Sequence, residues 1–252
     1  MFGTSQNIQI LAFFLLAGFF ELLERMRPAR EYDRWKDLKT NVFSFALAIV
    51  LNQTCSYVTD GFFSRYTPAY IIAACHSLRS LPGAVKIGIA LVMIDFCLYW
   101  IHRSQHEFDS LWKTHRWHHS SEQLYWFSGF RTSFSQSFLY NIPQAGIPMV
   151  IFNLNPMQAG IGYSIGLLIQ FWEHTNFDVN IGPLKYIFIT PAFHRVHHSA
   201  SDICRKNLGT TFSFWDRMFG TYINPDTVPK DTPLGLGETI EKEKLPRLII
   251  GV

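Results

Sequence analysis

The stretch Ala84-Val-Lys-Ile-Gly-Ile-Ala-Leu-Val-Met-Ile-Asp95-Phe-Cys-Leu-Tyr-Trp-Ile101-His102-Arg-Ser-Gln-His106 joins two chemistries without a break. From Ala84 to Ile101 the only charges are Lys86 and Asp95, over nearly the length of helix that crosses a bilayer. His102 and His106 follow at once, an i, i+4 pair that a helix places on one face, about 6 Å apart along its axis. A helix apolar for most of its length and ending in two imidazoles reads as a membrane span running into a polar cap.

Working outward, the same pattern recurs. Ile8 to Leu23 is nearly charge-free, and Val42 to Val58 is wholly so. Phe134 to Leu154 and Met157 to Trp172 are uncharged too, separated by the turn signal Asn155-Pro156, which predicts a tight helical hairpin. Pro68 to Cys75 is too short to cross and reads as a re-entrant or interfacial piece. The expected fold is an all-α integral membrane bundle of four or five spans with a helical cap. One domain is expected over 1–252, with membrane helices in 1–101 and 133–173, a metal-binding cap in 102–132 and 174–222, and an irregular tail in 223–252.

A soluble helical bundle is the competing reading, and charge distribution tests it. Alternating spans put Arg25 to Lys39, His102 to Arg131 and everything beyond His174 on one side. Nineteen of the 22 Lys and Arg residues then share that side, leaving Arg65, Arg79 and Lys86 opposite. Such a bias marks the cytoplasmic face, so a multi-pass protein with the histidine boxes and C-terminus in the cytoplasm is expected. No basic segment precedes the first apolar run, so that run reads as a span and not a cleaved signal. With 48% apolar residues the chain is too hydrophobic to be disordered. A net charge of +3 without a clustered basic face gives no reason for a nucleic-acid partner. Cys55, Cys75, Cys97 and Cys204 are scattered, with neither disulfide nor zinc spacing.

Nine of the ten histidines lie just past the cytoplasmic ends of these runs. They are His102 and His106, then His115-Arg-Trp-His118-His119, then His174, then His194-Arg-Val-His197-His198. In each HxxHH triplet three imidazoles are expected to converge on one helical face. Imidazole binds Zn, Fe, Cu and Ni without first losing a charge, and nine of them can give four or five nitrogens to each of two ions. Packing nine imidazoles together without a ligand would cost desolvation and, on protonation, repulsion. The glutamate of a zinc protease is out of register, since no second histidine follows His106-Glu107 at the required place. Bis-histidine haem leaves the HxxHH spacing unexplained. His76, on the opposite side, reads as an ordinary surface histidine.

The ordered set Asp95 to Glu107, Leu111 to Ser120, His194 to Ser199, Asn207-Leu208-Gly209 and Trp215 to Thr221 resembles the fatty acid hydroxylase and sterol desaturase superfamily, over roughly Ala90 to Tyr222. Gln170-Phe-Trp-Glu-His174-Thr, Gly182-Pro-Leu-Lys-Tyr186 and Thr190-Pro191 are most similar to its alkylglycerol monooxygenase-like branch and bacterial relatives. The resemblance implies a membrane di-iron oxygenase that hydroxylates a fatty acyl, sterol-like or ether lipid. Two Fe ions, dioxygen and an external electron donor of the reductase, ferredoxin or cytochrome b5 kind are implied with it, and zinc can replace iron in a recombinant sample. It also implies metal ligation by His102, His106, His115, His118, His119, His194, His197 and His198, with His174 as a further ligand. Two positions depart from the pattern. Asn176 stands where the ether-lipid branch has an acidic residue, and Asp178 where other members have a second histidine, which makes Asp178 a candidate carboxylate ligand.

Asp95 is the third candidate outside the histidines. A carboxylate inside a span is costly and functional by default, and its spacing aligns it with His102 and His106, so it is expected to accept a hydrogen bond from a ligating imidazole. Glu107 and Glu122 either do the same or pair with Arg103 and Arg116. Trp215-Asp216 is expected to close the cap beneath the site. Two other activities stay open, a desaturase on the same scaffold and a non-catalytic metal-binding or transport protein.

Overall fold

The computed structural model describes residues 4–238 and 245–252. Among these the chain is all-helical, its only β pairings being isolated bridges between Phe188 and Phe212 and between Ser199 and Leu234. Five long helices form the body: α1 (Thr4–Met26), α2 (Leu38–Tyr66), α5 (Gly83–Glu107), α7 (Phe134–Gly146) and α8 (Pro156–His174). Short helices join or cap them: α3 (Ala69–Ala74), α4 (His76–Arg79), α6 (Asp109–His115), α9 (Pro191–His197), α10 (Phe214–Met218) and α11 (Leu245–Ile250). By length and composition α2 and α5 can each cross a membrane.

α1 packs along α8 and α2 along α7, while α5 touches both α7 and α8. The sequence predicted a tight hairpin of α7 and α8, and here it differs. Pro148 has no N–H to give, so α7 loosens into a π turn over Ile147–Ile151. Phe152 then buries against Ala90 of α5 and Ile147, which brings α5 into the corner. α8 restarts with a full capping box, Asn155 accepting from Gln158 N while Gln158 Oε1 accepts from Asn155 N. On the other flank Phe20, Leu167 and Phe171 form the core between α1 and α8, with the Trp126 ring stacked on Phe171 at 4.9 Å.

Below this body the connecting segments build the cap. Glu24, buried near the end of α1, gathers three of them by accepting from Tyr32 OH, Trp126 N, Thr175 Oγ1 and Asn176 N. Asp216 of α10 accepts from Leu208 N, Gly209 N and Thr221 Oγ1, folding Asn207–Gly209 back on itself. The end of the chain departs from the expected irregular tail. Leu248 of α11 is buried, Ser135 Oγ donates to Ile250 O, and the helix packs on α6 and α7. The apolar Leu245–Ile250 segment, preceded by a polar stretch at residues 239–244 that lies outside the described residues, returns to cover the body.

Gly209 has no room for a side chain. A Cβ there would lie 2.5 Å from Phe212 O and 2.9 Å from Asp216 Oδ2. Gly209→Ala is expected to lower stability by about 1–3 kcal/mol through forced backbone movement, read as an earlier thermal unfolding midpoint in detergent.

Candidate metal centre

The nine histidines arrive on five elements and are all buried. Their ring nitrogens form two groups, each with its ligand atoms within 4.8 Å of one another: His102, His106, His115, His119 and His197, and separately His118, His174, His194 and His198. The three members of an HxxHH triplet therefore do not converge, contrary to the sequence expectation. In each triplet the first and last histidines serve one group and the middle one serves the other. Helical geometry explains the split, since positions i and i+4 differ by about 40° around the axis while i+3 and i+4 differ by about 100°. The crossing is reciprocal: His118 leaves its triplet for the group of His194 and His198, and His197 leaves for the group of His115 and His119. The groups adjoin, with the rings of His119 and His198 stacked at 4.4 Å.

Outer hydrogen bonds set the tautomers. The Nδ1–H groups of His102, His118, His174 and His197 donate to the carbonyls of Leu208, Arg131, Gln170 and Lys206 at 2.7–3.0 Å. His115 Nδ1 does the same to Gln136 Oε1, at 3.1 Å. An imidazole that donates from Nδ1 carries a lone pair on Nε2. Those lone pairs face inward: the Nε2 atoms of His118 and His174 are 3.2 Å apart, and those of His102 and His115 have no protein partner. His119 and His197 Nε2 lie 3.0 Å apart, and His194 Nε2 is 3.2 Å from that of His174 and 3.1 Å from that of His198. Where both rings carry the proton on Nδ1, as His118 and His174 do, the facing Nε2 lone pairs repel one another. Two nitrogens each about 2.1 Å from one ion and at right angles lie about 3 Å apart, so a shared cation converts the repulsion into ligation. The residues fit a metal at each group.

The supports reach far along the chain. Arg131, whose carbonyl holds His118, is itself buried and bound through Nε to Asn41 Oδ1 at 2.7 Å and through Nη1 to Ser120 Oγ. Ser133 caps α7, and Gln136 in its first turn reaches His115. Leu208, which holds His102, is held in turn by Asp216. Gly129 lets His174 pass, since a Cβ there would lie 2.5 Å from its ring. Trp112 closes one side, its ring 5.0 Å from His106 and 5.2 Å from His119.

The three non-histidine candidates sit elsewhere. Asp95 is buried but touches no imidazole; it accepts from Thr210 Oγ1, Thr211 N, Phe212 N and Trp215 Nε1, tying α5 to the segment before α10. Its seven-residue spacing puts it two turns above His102, beyond hydrogen-bond reach of that ring. Asn176 is locked to Arg30, accepting from its N and donating to its O. Asp178 pairs with Arg195 Nη1 at 2.7 Å and belongs to neither group. α8 ends at His174 and the chain turns extended at Thr175, so positions two and four residues on no longer share the helical face of His174. Glu107 pairs with Arg103, and Glu122 with Lys36, while Arg116 meets Glu238. His76 is exposed and remote. Arg131, Gln136 and Glu24 were not singled out in the sequence, and the available signal was weak: each is polar beside an apolar run, which many surface residues share.

Burial holds the cap imidazoles neutral. His115, His119, His194, His197 and His198 are pushed well below the usual 6.5 by desolvation, then by neighbouring imidazoles, and desolvation takes His118 down to about 4. An unfolded chain therefore takes up protons below about pH 6.5 that the folded chain refuses. Stability present above that pH is lost as pH falls, at up to about 1.4 kcal/mol per pH unit for each histidine. The metal-stripped protein is expected to keep a constant thermal midpoint from pH 9 to 7.5 and to lose it steeply below 6.5; a flat profile to pH 5 would contradict neutral burial.

Comparison with known proteins agrees with this geometry. The fatty acid hydroxylase family model matches residues 87–221, just over half the chain and the segment holding all nine histidines. The chain is 40% identical over 134 residues to alkylglycerol monooxygenase of Xenopus tropicalis, covering 52% of this chain and 29% of that protein. It is 34% identical over 169 residues to ornithine lipid hydroxylase of Rhizobium tropici, covering 66% of this chain and 50% of the relative. Sphingolipid C4-hydroxylase of Saccharomyces cerevisiae is 22% identical over 244 residues, 84% of this chain and 69% of the other. The chain thus spans from under a third to half of the length of the first two of these relatives. No solved structure matches it. A matching family segment that begins on α5 before the first histidine pair and ends beyond the loop holding His102 makes the chain a member of the fatty acid hydroxylase family.

Proposed function

We propose that this chain is a multi-pass membrane hydroxylase of lipids, with His102, His106, His115, His119 and His197 holding one iron and His118, His174, His194 and His198 a second. The observation that carries the reading is the pair of buried groups in which the nine histidines bring ring nitrogens within 4.8 Å of one another in each group, with the Nε2 lone pairs of His118 and His174 face to face. An all-nitrogen donor set of this size suits iron, and the named relatives are lipid hydroxylases or monooxygenases. Iron held there would supply the reducing equivalents that activate dioxygen, replenished by a separate electron donor.

The chain's own residues set the conditions for that chemistry. The carbonyls of Arg131, Gln170, Lys206 and Leu208 hold the Nδ1 protons away from the centre and fix each ring plane. Trp112 and the buried Trp117 exclude water on the cap side. Gln105, between His102 and His106, donates to Thr114 Oγ1 and accepts from Tyr140 OH, binding α5 to α6 and α7 around the first group. Asp95 and Asp216 act as positioning residues through the 207–215 segment, Asn176 and Asp178 through Arg30 and Arg195.

The membrane assignment rests on an inverted surface. Large apolar side chains are exposed along all five long helices, among them Phe14, Val50, Val92, Phe138 and Ile161, while the interior of the cap is polar. A soluble monomer rarely leaves so much contiguous apolar surface in water. Five spans beginning outside place the cap on the cytoplasmic side, as the distribution of Lys and Arg favours.

Purified protein is expected to carry two metal ions per chain. His118→Ala and His197→Ala, one from each group, are each expected to lose at least one ion and all lipid hydroxylation; less than one metal in the parent chain, or lipid oxidation surviving both changes, would refute the reading. Lipid products should gain an oxygen, whereas loss of two hydrogens would mark a desaturase. In single-cysteine variants, a membrane-impermeant maleimide added to intact cells should label Cys75 and spare Cys204 until the membrane is opened. The opposite pattern would invert the topology.

A further inference from the structure

α9 has two working sides. His194 and His197 point into the metal groups, while Ala192, Arg195 and Val196 line a separate pocket of about 410 Å³ on the outer side of the cap. Arg195 is the unusual element of its wall. Its side chain is 7% exposed, only Nη1 is used, by Asp178, and Nε and Nη2 are buried with no partner. Those two nitrogens are closed to solvent, so what Arg195 gives the wall is a desolvated positive charge paired only with Asp178, which argues for an anion beside it.

Arg30 lines the same pocket and has a buried unpartnered Nε, its Nη1 donating to Thr232 O. Burial and the neighbouring charge of Arg195 both lower its pKa, so the two cations repel across the space. Lys185 and Lys230 also line it, against Asp178 and Asp226. Four cationic residues and two acidic ones leave a charge of +2 around the pocket. A planar guanidinium fork matches the oxygens of a phosphate bidentately. The volume exceeds that of a lone phosphate ion, and Val179 and Phe188 add exposed apolar surface to the lining.

We propose that this pocket binds the phosphate group of a phosphate ester, held between Arg195 and Arg30 with Lys185 beside it. The source favoured by the apolar lining is an anionic phospholipid headgroup, and that source rests on the membrane reading above, whereas phosphate binding itself does not. Bound there, the phosphate would also settle the helix that carries ligands to both metal groups.

Calorimetry on the purified full chain in neutral detergent, at constant ionic strength, tests this with three probes: inorganic phosphate, glycerol 3-phosphate and dihexanoyl phosphatidylglycerol. At least one is expected to bind, and to bind tenfold or more weakly to the Arg30→Gln, Lys185→Gln double variant, whose metal content serves as the check on folding. Binding by the lipid alone assigns the headgroup; equal binding by glycerol 3-phosphate assigns a soluble ester. If the double variant loses its metal, Lys185→Gln alone gives the comparison, with a threefold loss expected. No heat with any of the three probes, or unchanged affinity in a variant that keeps its metal, overturns the proposal. Metal count and lipid oxidation are measured separately, so failure here leaves the hydroxylase reading standing, and the reverse also holds.

Discussion

Everything in the cap answers to one electrostatic constraint: ring nitrogens of neutral imidazoles held about 3 Å apart in a dry interior. Where two lone pairs face, as at His118 and His174, the arrangement repels, and five of the nine rings are clamped from behind at Nδ1 while a cation would fit in front. The backbone carbonyls behind four of the rings do this without adding charge. Carboxylates in those places would make the histidines more basic and easier to protonate. The chain instead keeps its buried acids, Glu24, Asp95 and Asp216, one step back, where they bind peptide N–H groups and shape the loops that present the carbonyls.

That arrangement explains why residues far from the histidines matter to them. The peptide at Leu208 can hold His102 only because Asp216 ties down the N–H groups of Leu208 and Gly209, and Gly209 leaves room for the turn. Arg131 carries His118 while anchored to Asn41 on α2, so a membrane-length helix and a cap loop share one support. The long helices thus act as a frame whose lower ends set ring orientation.

Much of this was readable in the residues. The apolar runs marked the long helices, and spacing alone placed nine histidines together. Even the division into five and four follows from the pitch of the helix once the 100° between i+3 and i+4 is taken seriously, which a view of three imidazoles sharing one face does not do. Asp95 was legible as unusual but not in its partners, because these come from Thr210 to Trp215, more than a hundred residues away. The roles of Asn176 and Asp178 depend on where α8 stops, and helix ends are set by local capping and tertiary contacts that periodicity does not reveal. The refolding of α11 onto α6 and α7 likewise has no signature beyond a short apolar run.

The reciprocal crossing of the two triplets has a consequence for assembly. Because His118 and His119 are neighbours yet serve different groups, as are His197 and His198, neither group can be ordered while the other is loose. An ion held by either group would draw both HxxHH segments into register, so the donors of the other group would already have surrendered conformational freedom. Loss of a ligand from one group would then be felt at the other, so the wiring of two short segments would favour filling both groups together over filling one.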